Sequence, residues 1–288
     1  MRSIEIIRTG IYIPSQKVDS EYLENKLGLD RGFVRKRTGI EKRFWVSDEN
    51  TKDMACLAVN DLCLTDSQKK SIGLIVVATT STSDLMPGIS NYVQKSLGIE
   101  HCICLDVLAG CGGFVNAFDI ATLYIKSGKV NSAIVIGVDV LSKFINQDDV
   151  NTSIILADGA GAVLVGVSNL DKIYCSNIFS EGANNQILTC RSNENIYMEG
   201  KEVYKYAVTK TVDCVNELLD KAGIGIDDID CIIPHQSNLK IIRSIASRLK
   251  LNNGKLYTNI QKFGNTFCAS IPIAIKEAIE SKTIKKRK

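Results

Sequence analysis

The strand-and-turn unit CICLDVLAGCGGF, residues 102–114, has a counterpart in LYTNIQKFGNTFCAS, residues 256–270, and GLIVVATTS (73–81) is answered by DCIIPHQSN (230–238). Repetition of this kind constrains the fold more than any single motif, because each copy must bury the same apolar surfaces. Between these units, short apolar runs alternate with helical periods. The first half predicts strands at 4–13, 73–79, 103–108, 133–140 and 162–167, the last opened by DGAG at 158–161. Helices are expected at 20–28, 51–64, 89–97 and from Cys111 onward, with a basic loop at 33–40. The second half predicts strands at 173–178, 230–234 and 255–259, and helices at 203–223, 239–249 and 270–281. Continuous apolar strands separated by helices indicate a parallel or mixed sheet covered on both faces. The expectation is an α/β fold made by duplicating a five-stranded unit, with halves at 1–168 and 169–288.

The duplication exposes a gap. Two strands follow the Cys111 helix in the first half, whereas only KTIKKRK (282–288) follows the last helix of the second. The second half is therefore expected to be incomplete at its C-terminal end, and either a truncated reading frame or a divergent sequence would produce that.

Cys111 stands between glycines, at the point where an apolar strand run yields to a long helical one. Glycine permits a sharp turn and close approach of a substrate. A thiol at a helix N-terminus meets unpaired N–H groups and a dipole that favour the thiolate. Local pattern alone leaves two readings open, a nucleophile or a small apolar core residue. The other nine of the ten cysteines are scattered and several lie in apolar runs, which fits reduced core residues. Cys102 and Cys104 share a strand face but have no matching ligand pair, so no metal site is expected. The only two histidines are His101 and His235; His101 fits a surface or strand-edge position.

Bulk properties exclude several classes. A net charge of +3 is too small to indicate nucleic acid as a partner. No apolar run approaches the ~20 residues of a membrane span, and the first ten residues, MRSIEIIRTG, carry no signal-peptide pattern. A cytoplasmic protein is expected.

Six collinear segments, RTGI (37–40), GLIVVATTST (73–82), DVLAGCGGF (106–114), ADGAGA (157–162), PHQSN (234–238) and FGNTFCASIP (263–272), resemble β-ketoacyl-acyl-carrier-protein synthase III. The likeness covers nearly the whole chain. It implies the thiolase-like fold, two five-stranded mixed sheets in an αβαβα layering, and a homodimer. It further implies the initiating condensation of fatty-acid synthesis, in which a short acyl-coenzyme A and malonyl-acyl-carrier protein are joined with loss of carbon dioxide. Coenzyme A thioester is then a substrate and no cofactor is required.

By the same resemblance Cys111 is the acyl-accepting nucleophile, and His235 and Asn265 complete the triad. A covalent acyl intermediate divides one difficult step into two, and two hydrogen-bond donors would stabilise the enolate left by decarboxylation. Taken singly, His235 after a proline and Asn265 in a glycine turn also fit ordinary loop residues.

Phe33, where tryptophan is common in the family, and Arg37 match the positions that hold the adenine end of coenzyme A. Met86 matches a residue lining the acyl pocket across the dimer. Asn238, Lys240 and Lys205 are candidates at the tunnel mouth. Lys205, Lys240, Arg243 and Arg248 could attract an acidic carrier protein, or could equally form solvated helix faces. Two departures stand out. Val150 occupies a position where the family carries arginine, and nothing matches the glycine-rich loop that closes the family's oxyanion hole, a donor typically worth about 10²–10³ in rate. These departures keep two other functions open: a specialised-metabolism condensing or acyl-transfer enzyme, and an inactive truncated scaffold.

Overall fold

Strands Ile72–Ala78 and Ser132–Asp139 are almost continuously apolar, and all but one of their residues are buried. Such strands can only lie inside a sheet covered on both faces. The computed structural model, which describes residues 2–82, 84–171, 173–191, 194–252 and 254–284, places them at the centre of a five-stranded sheet. Its strands are β1 (Ser3–Tyr12), β2 (Ile72–Ala78), β3 (Ile103–Val107), β4 (Ser132–Asp139) and β5 (Gly159–Ser168), in the order β1-β5-β4-β2-β3. β2 runs parallel to β3 and β4, whereas β5 is antiparallel to both β1 and β4. The sheet is mixed, as the alternation of elements predicts.

Helices α1 (Thr51–Asn60) and α2 (Ile89–Leu97) cover one face, packing Met54, Ala58, Ile89 and Val93 onto Ile75, Val77, Ile134 and Ile136. α3 (Gly113–Lys126) covers the other face. It buries Phe114, Ala117, Ala121 and Ile125, the three-to-four-residue spacing of a single helical stripe, against Leu74, Val76 and Val135. The longer helices among the described residues of the second half are α4 (Gly200–Ala222), α5 (Leu239–Arg248) and α6 (Ser270–Glu280). Ile271 and Ile275 of α6 join the α3 cluster, so a second-half helix completes the cover of the first-half sheet.

The two matching units end alike. A short 3₁₀ turn, Gly110–Gly112, leads into α3, and another, Phe267–Ala269, leads into α6. The second turn presses against β4, where a Cβ on Gly137 would overlap the carbonyl oxygen of Cys268. Only glycine allows that approach. Asp139, fully buried at the end of β4, fixes the turn by accepting the Cys268 N–H at 3.0 Å and the Thr80 N–H at 2.7 Å.

Several expectations need correction. The basic loop at 33–40 contains a six-residue helix, Phe33–Thr38. Buried Glu24 accepts the Gly32 and Val34 N–H groups, both at 2.8 Å, supplying partners for the exposed helix start. The helix that was to begin at Cys111 begins at Gly113. The strands expected at 173–178, 230–234 and 255–259 form no ladder. Segments 230–234 and 255–259 run side by side with a single parallel bridge, Ile232 to Leu256. Two strands paired by themselves are marginal, and among the described residues no further strand pairs with either segment. Tail residues 285–288 lie outside those described.

Candidate active site

Cys111 lies in the turn between β3 and α3, half-buried, where two cavities meet. The larger, about 700 Å³, is also lined by Asn265, Arg37, Asn238 and Lys240. The smaller, about 230 Å³, is mostly apolar, with Leu141, Phe144 and Ile196 in its wall. Burial first, and then the nearby Asp139 carboxylate, push the Cys111 thiol up to about 12. The dipole argument predicts the opposite direction. Two physical facts outweigh it: the sulfur sits in poorly solvated surroundings, and Cys111 precedes the first residue of α3 by two positions. The resting group is a thiol.

His235 follows the 230–234 segment and is held from behind. Its Nδ1 is 2.6 Å from Ser270 Oγ, which also accepts the Gln236 N–H at 3.3 Å. Among the described residues the one acceptor for the Ser270 hydroxyl hydrogen is Nδ1, and that assignment leaves the ring hydrogen on Nε2. Nε2 is buried without a hydrogen-bond partner among the described residues. Burial lowers the imidazole to about 4, so at neutral pH the ring is uncharged. The site thus offers an unsatisfied N–H donor.

Asn265 is fixed by its backbone and by one side of its amide. Its N–H donates to Ile155 O at 3.0 Å and its carbonyl accepts the Ala157 N–H at 2.9 Å. Its Oδ1 accepts the Phe267 N–H at 3.1 Å. The amide NH₂ is the part left to a ligand in the cavity shared with Cys111. Phe267 meets His235 edge-on, with ring centroids 6.3 Å apart.

The other candidate residues distribute unevenly. Arg37, Asn238 and Lys240 line the larger cavity. Asn238 also caps α5, accepting the Lys240 N–H at 2.8 Å, and its amide nitrogen lies 3.4 Å from Arg37 O. Gly39 makes that meeting of RTGI with α5 possible, since a side chain there would collide with Leu239. Phe33 does not line either cavity; its ring lies under the Arg37 guanidinium, 5.8 Å from the centroid. Met86 is 83% exposed and away from both cavities. Lys205 is exposed on α4 without lining the cavity, while Lys201, one turn earlier, does. Asn151, next to Val150, reaches the cavity as well. His101 is exposed. Sequence reasoning missed Asp139, Ser270 and Phe267; the last two lie in the FGNTFCASIP motif, but nothing in its spacing reveals what they touch.

Among the described residues no cluster of histidine, cysteine and acidic side chains could hold a metal ion, and no helix is long and apolar enough to cross a membrane.

Two family models match: 3-oxoacyl-[acyl-carrier-protein] synthase III over residues 105–182, and the C-terminal model of that enzyme over 219–288. A β-ketoacyl-[acyl-carrier-protein] synthase III of Clostridium novyi is 36% identical over 99% of this chain and 93% of its own length. The chain belongs to the 3-oxoacyl-[acyl-carrier-protein] synthase III family. Structural neighbours agree: the synthase III of Aquifex aeolicus superposes with a TM-score of 0.94 at 35% identity, covering 98% of this chain and 92% of that one. The priming β-ketosynthase of the R1128 polyketide pathway superposes at 0.91 with 26% identity, covering 98% and 89%. The fold is thiolase-like, and the chain is an acyltransferase of the synthase III type.

Proposed function

We propose that this protein joins a short acyl-coenzyme A to malonyl-acyl-carrier protein through an acyl thioester on Cys111, the initiating condensation of fatty-acid synthesis. The reading is supported by a thiol and an amide that line one cavity, with a histidine that meets the wall of that cavity through Phe267. Cys111 and Asn265 line the larger cavity, and His235, which lines neither cavity, meets Phe267 of that wall edge-on and keeps an Nε2 with no partner among the described residues.

In the first half-reaction the Cys111 sulfur attacks the acyl carbonyl, the bond to the coenzyme A sulfur breaks, and the cysteine proton leaves with the coenzyme A thiol. In the second, the malonyl thioester loses carbon dioxide and its electron pair moves onto the thioester oxygen. His235 Nε2–H and the Asn265 NH₂ stabilise that oxyanion without either group changing charge. The enolate carbon then attacks the acyl carbonyl and Cys111 departs as the leaving group. A neutral imidazole suits a donor role, and burial keeps it neutral at pH 7. Arg37, Lys201 and Lys240 at the larger cavity suit the phosphates of coenzyme A or of the carrier's prosthetic arm. The reaction needs no resident cofactor.

Self-association fits the surface. β3 is an edge strand; Leu108, which follows it, is 73% exposed, and Leu85 and Met86, just before the Gly88 that approaches Asp106 of β3, are 97% and 83% exposed. Unpaired edges and exposed apolar groups together mark an association surface, so a homodimer is proposed, in the cytoplasm. The halves 1–168 and 169–288 remain the proposed division, supported by the matching 3₁₀ turns before α3 and α6.

The likeness to a polyketide priming enzyme, with Val150 in place of the family's arginine, supports a second reading, a condensing or acyl-transfer enzyme of specialised metabolism using another donor. A panel of acyl-coenzyme A donors assayed with malonyl-acyl-carrier protein separates the two. Preference for acetyl or another short acyl group, with a β-ketoacyl product and carbon dioxide, supports the first. Product without carbon dioxide release, or turnover only with unusual donors, supports the second.

A further inference from the structure

Phe267 carries a backbone that its residue type disfavours. Its φ is +46°, in the left-handed region, where a bulky side chain is an outlier. The equivalent first position of the matching turn in the first half is Gly110, with φ +54°, which incurs no such strain. The strained conformation is held from several sides. Asn265 Oδ1 accepts the Phe267 N–H, the ring meets His235 edge-on, and it packs into the cluster containing Leu141 and Ile196. Strain kept by such surroundings is a feature of functional sites.

What the ring does follows from its position. Among the described residues only Cys111, Leu188 and Phe267 line both cavities, so these three form the boundary between the polar chamber and the apolar pocket. An acyl group on Cys111 that turns away from the charged chamber enters the 230 Å³ pocket. There the Phe267 ring is the bulky wall beside the reacting sulfur.

We propose that Phe267 is a specificity-determining residue, its ring closing the acyl pocket beside Cys111 and thereby limiting the length of acyl chain the cysteine accepts. This rests on Cys111 being the acyl acceptor. With glycine or alanine at 267 the pocket and the chamber merge, and chains that collide with the ring gain room. A methylene accommodated or refused in an apolar pocket changes selectivity by about 10–200-fold.

The test measures rates of Cys111 acylation by intact mass, using straight-chain acyl-coenzyme A donors of increasing length. Wild type is compared with Phe267→Ala and with Phe267→Gly, the latter removing the strained side chain and so guarding against a folding defect. The expected result is a wild-type profile that falls off beyond short chains. In both variants that fall should move to longer donors, with the long-to-acetyl rate ratio rising at least tenfold. Variants whose rates change by one common factor at every length would overturn the proposal, because the ring would then serve packing alone. Failure of wild type to acylate with any donor would instead overturn the underlying assignment of Cys111, and this proposal with it.

Discussion

Ser270 Oγ sits 2.6 Å from Nδ1 of His235 while accepting the N–H of the next residue in the chain, Gln236. The hydroxyl lies at the first residue of α6 and the ring on a loop from a different part of the sequence, so the contact ties α6 to the loop that carries His235. Its chemical consequence is a fixed tautomer, with the hydrogen on Nε2.

Ser270→Ala removes the partner of a buried ring nitrogen, which costs about 1–3 kcal/mol. The expected outcome is a fall of about tenfold or more in decarboxylation of malonyl-carrier protein, with the rate of Cys111 acylation little changed. Separate measurement of the two half-reactions checks this, and equal losses in both would point to general disruption.

Asn265→Asp keeps the acceptor for the Phe267 N–H but removes the NH₂ donor and adds negative charge where an oxyanion must form. Condensation should fall by at least about 10²–10³-fold, the usual loss for one oxyanion donor. The acyl adduct on Cys111 should still form, as intact mass would record.

The lowered His235 imidazole, about 4 against an ordinary 6.5, makes a signed prediction for stability. Between those values the unfolded chain binds a proton that the folded chain refuses, so stability contributed by the neutral ring is present above pH 6.5 and is lost as pH falls towards 4. Urea midpoints measured across this window should drop more steeply in wild type than in His235→Asn.

Asp139→Asn tests why the Cys111 thiol lies so high. Removing the carboxylate charge should lower the thiol from about 12 and quicken its alkylation by iodoacetamide at pH 8. The same change substitutes an amide for a carboxylate that accepts from Thr80 and Cys268. A stability loss of about 1–3 kcal/mol should therefore accompany the faster alkylation.

The first-half sheet was legible because its strands are buried on both faces and read as unbroken apolar runs, and each expected strand there lies within a few residues of the observed one. The segments at 230–234 and 255–259 carry the same apolar signal without becoming a ladder, since composition records burial but not how many neighbours a strand has. Cys111, Asn265 and His235 could be singled out by motif. The direction of the Cys111 shift could not, because it depends first on burial and then on Asp139, distant in sequence and brought close by the sheet. Ser270 and Phe267 lay in a recognised motif, yet their roles come from contacts with His235 that only the folded chain makes.

The most direct measurement is the mass of the intact protein after incubation with acetyl-coenzyme A, followed by peptide mapping across its ten cysteines. A single acetyl group on Cys111, absent in Cys111→Ala and discharged on adding malonyl-acyl-carrier protein, is the predicted result. A well-folded protein that gains no acyl group from any acyl-coenzyme A, or gains it on another cysteine, would contradict the assignment of Cys111 as the nucleophile.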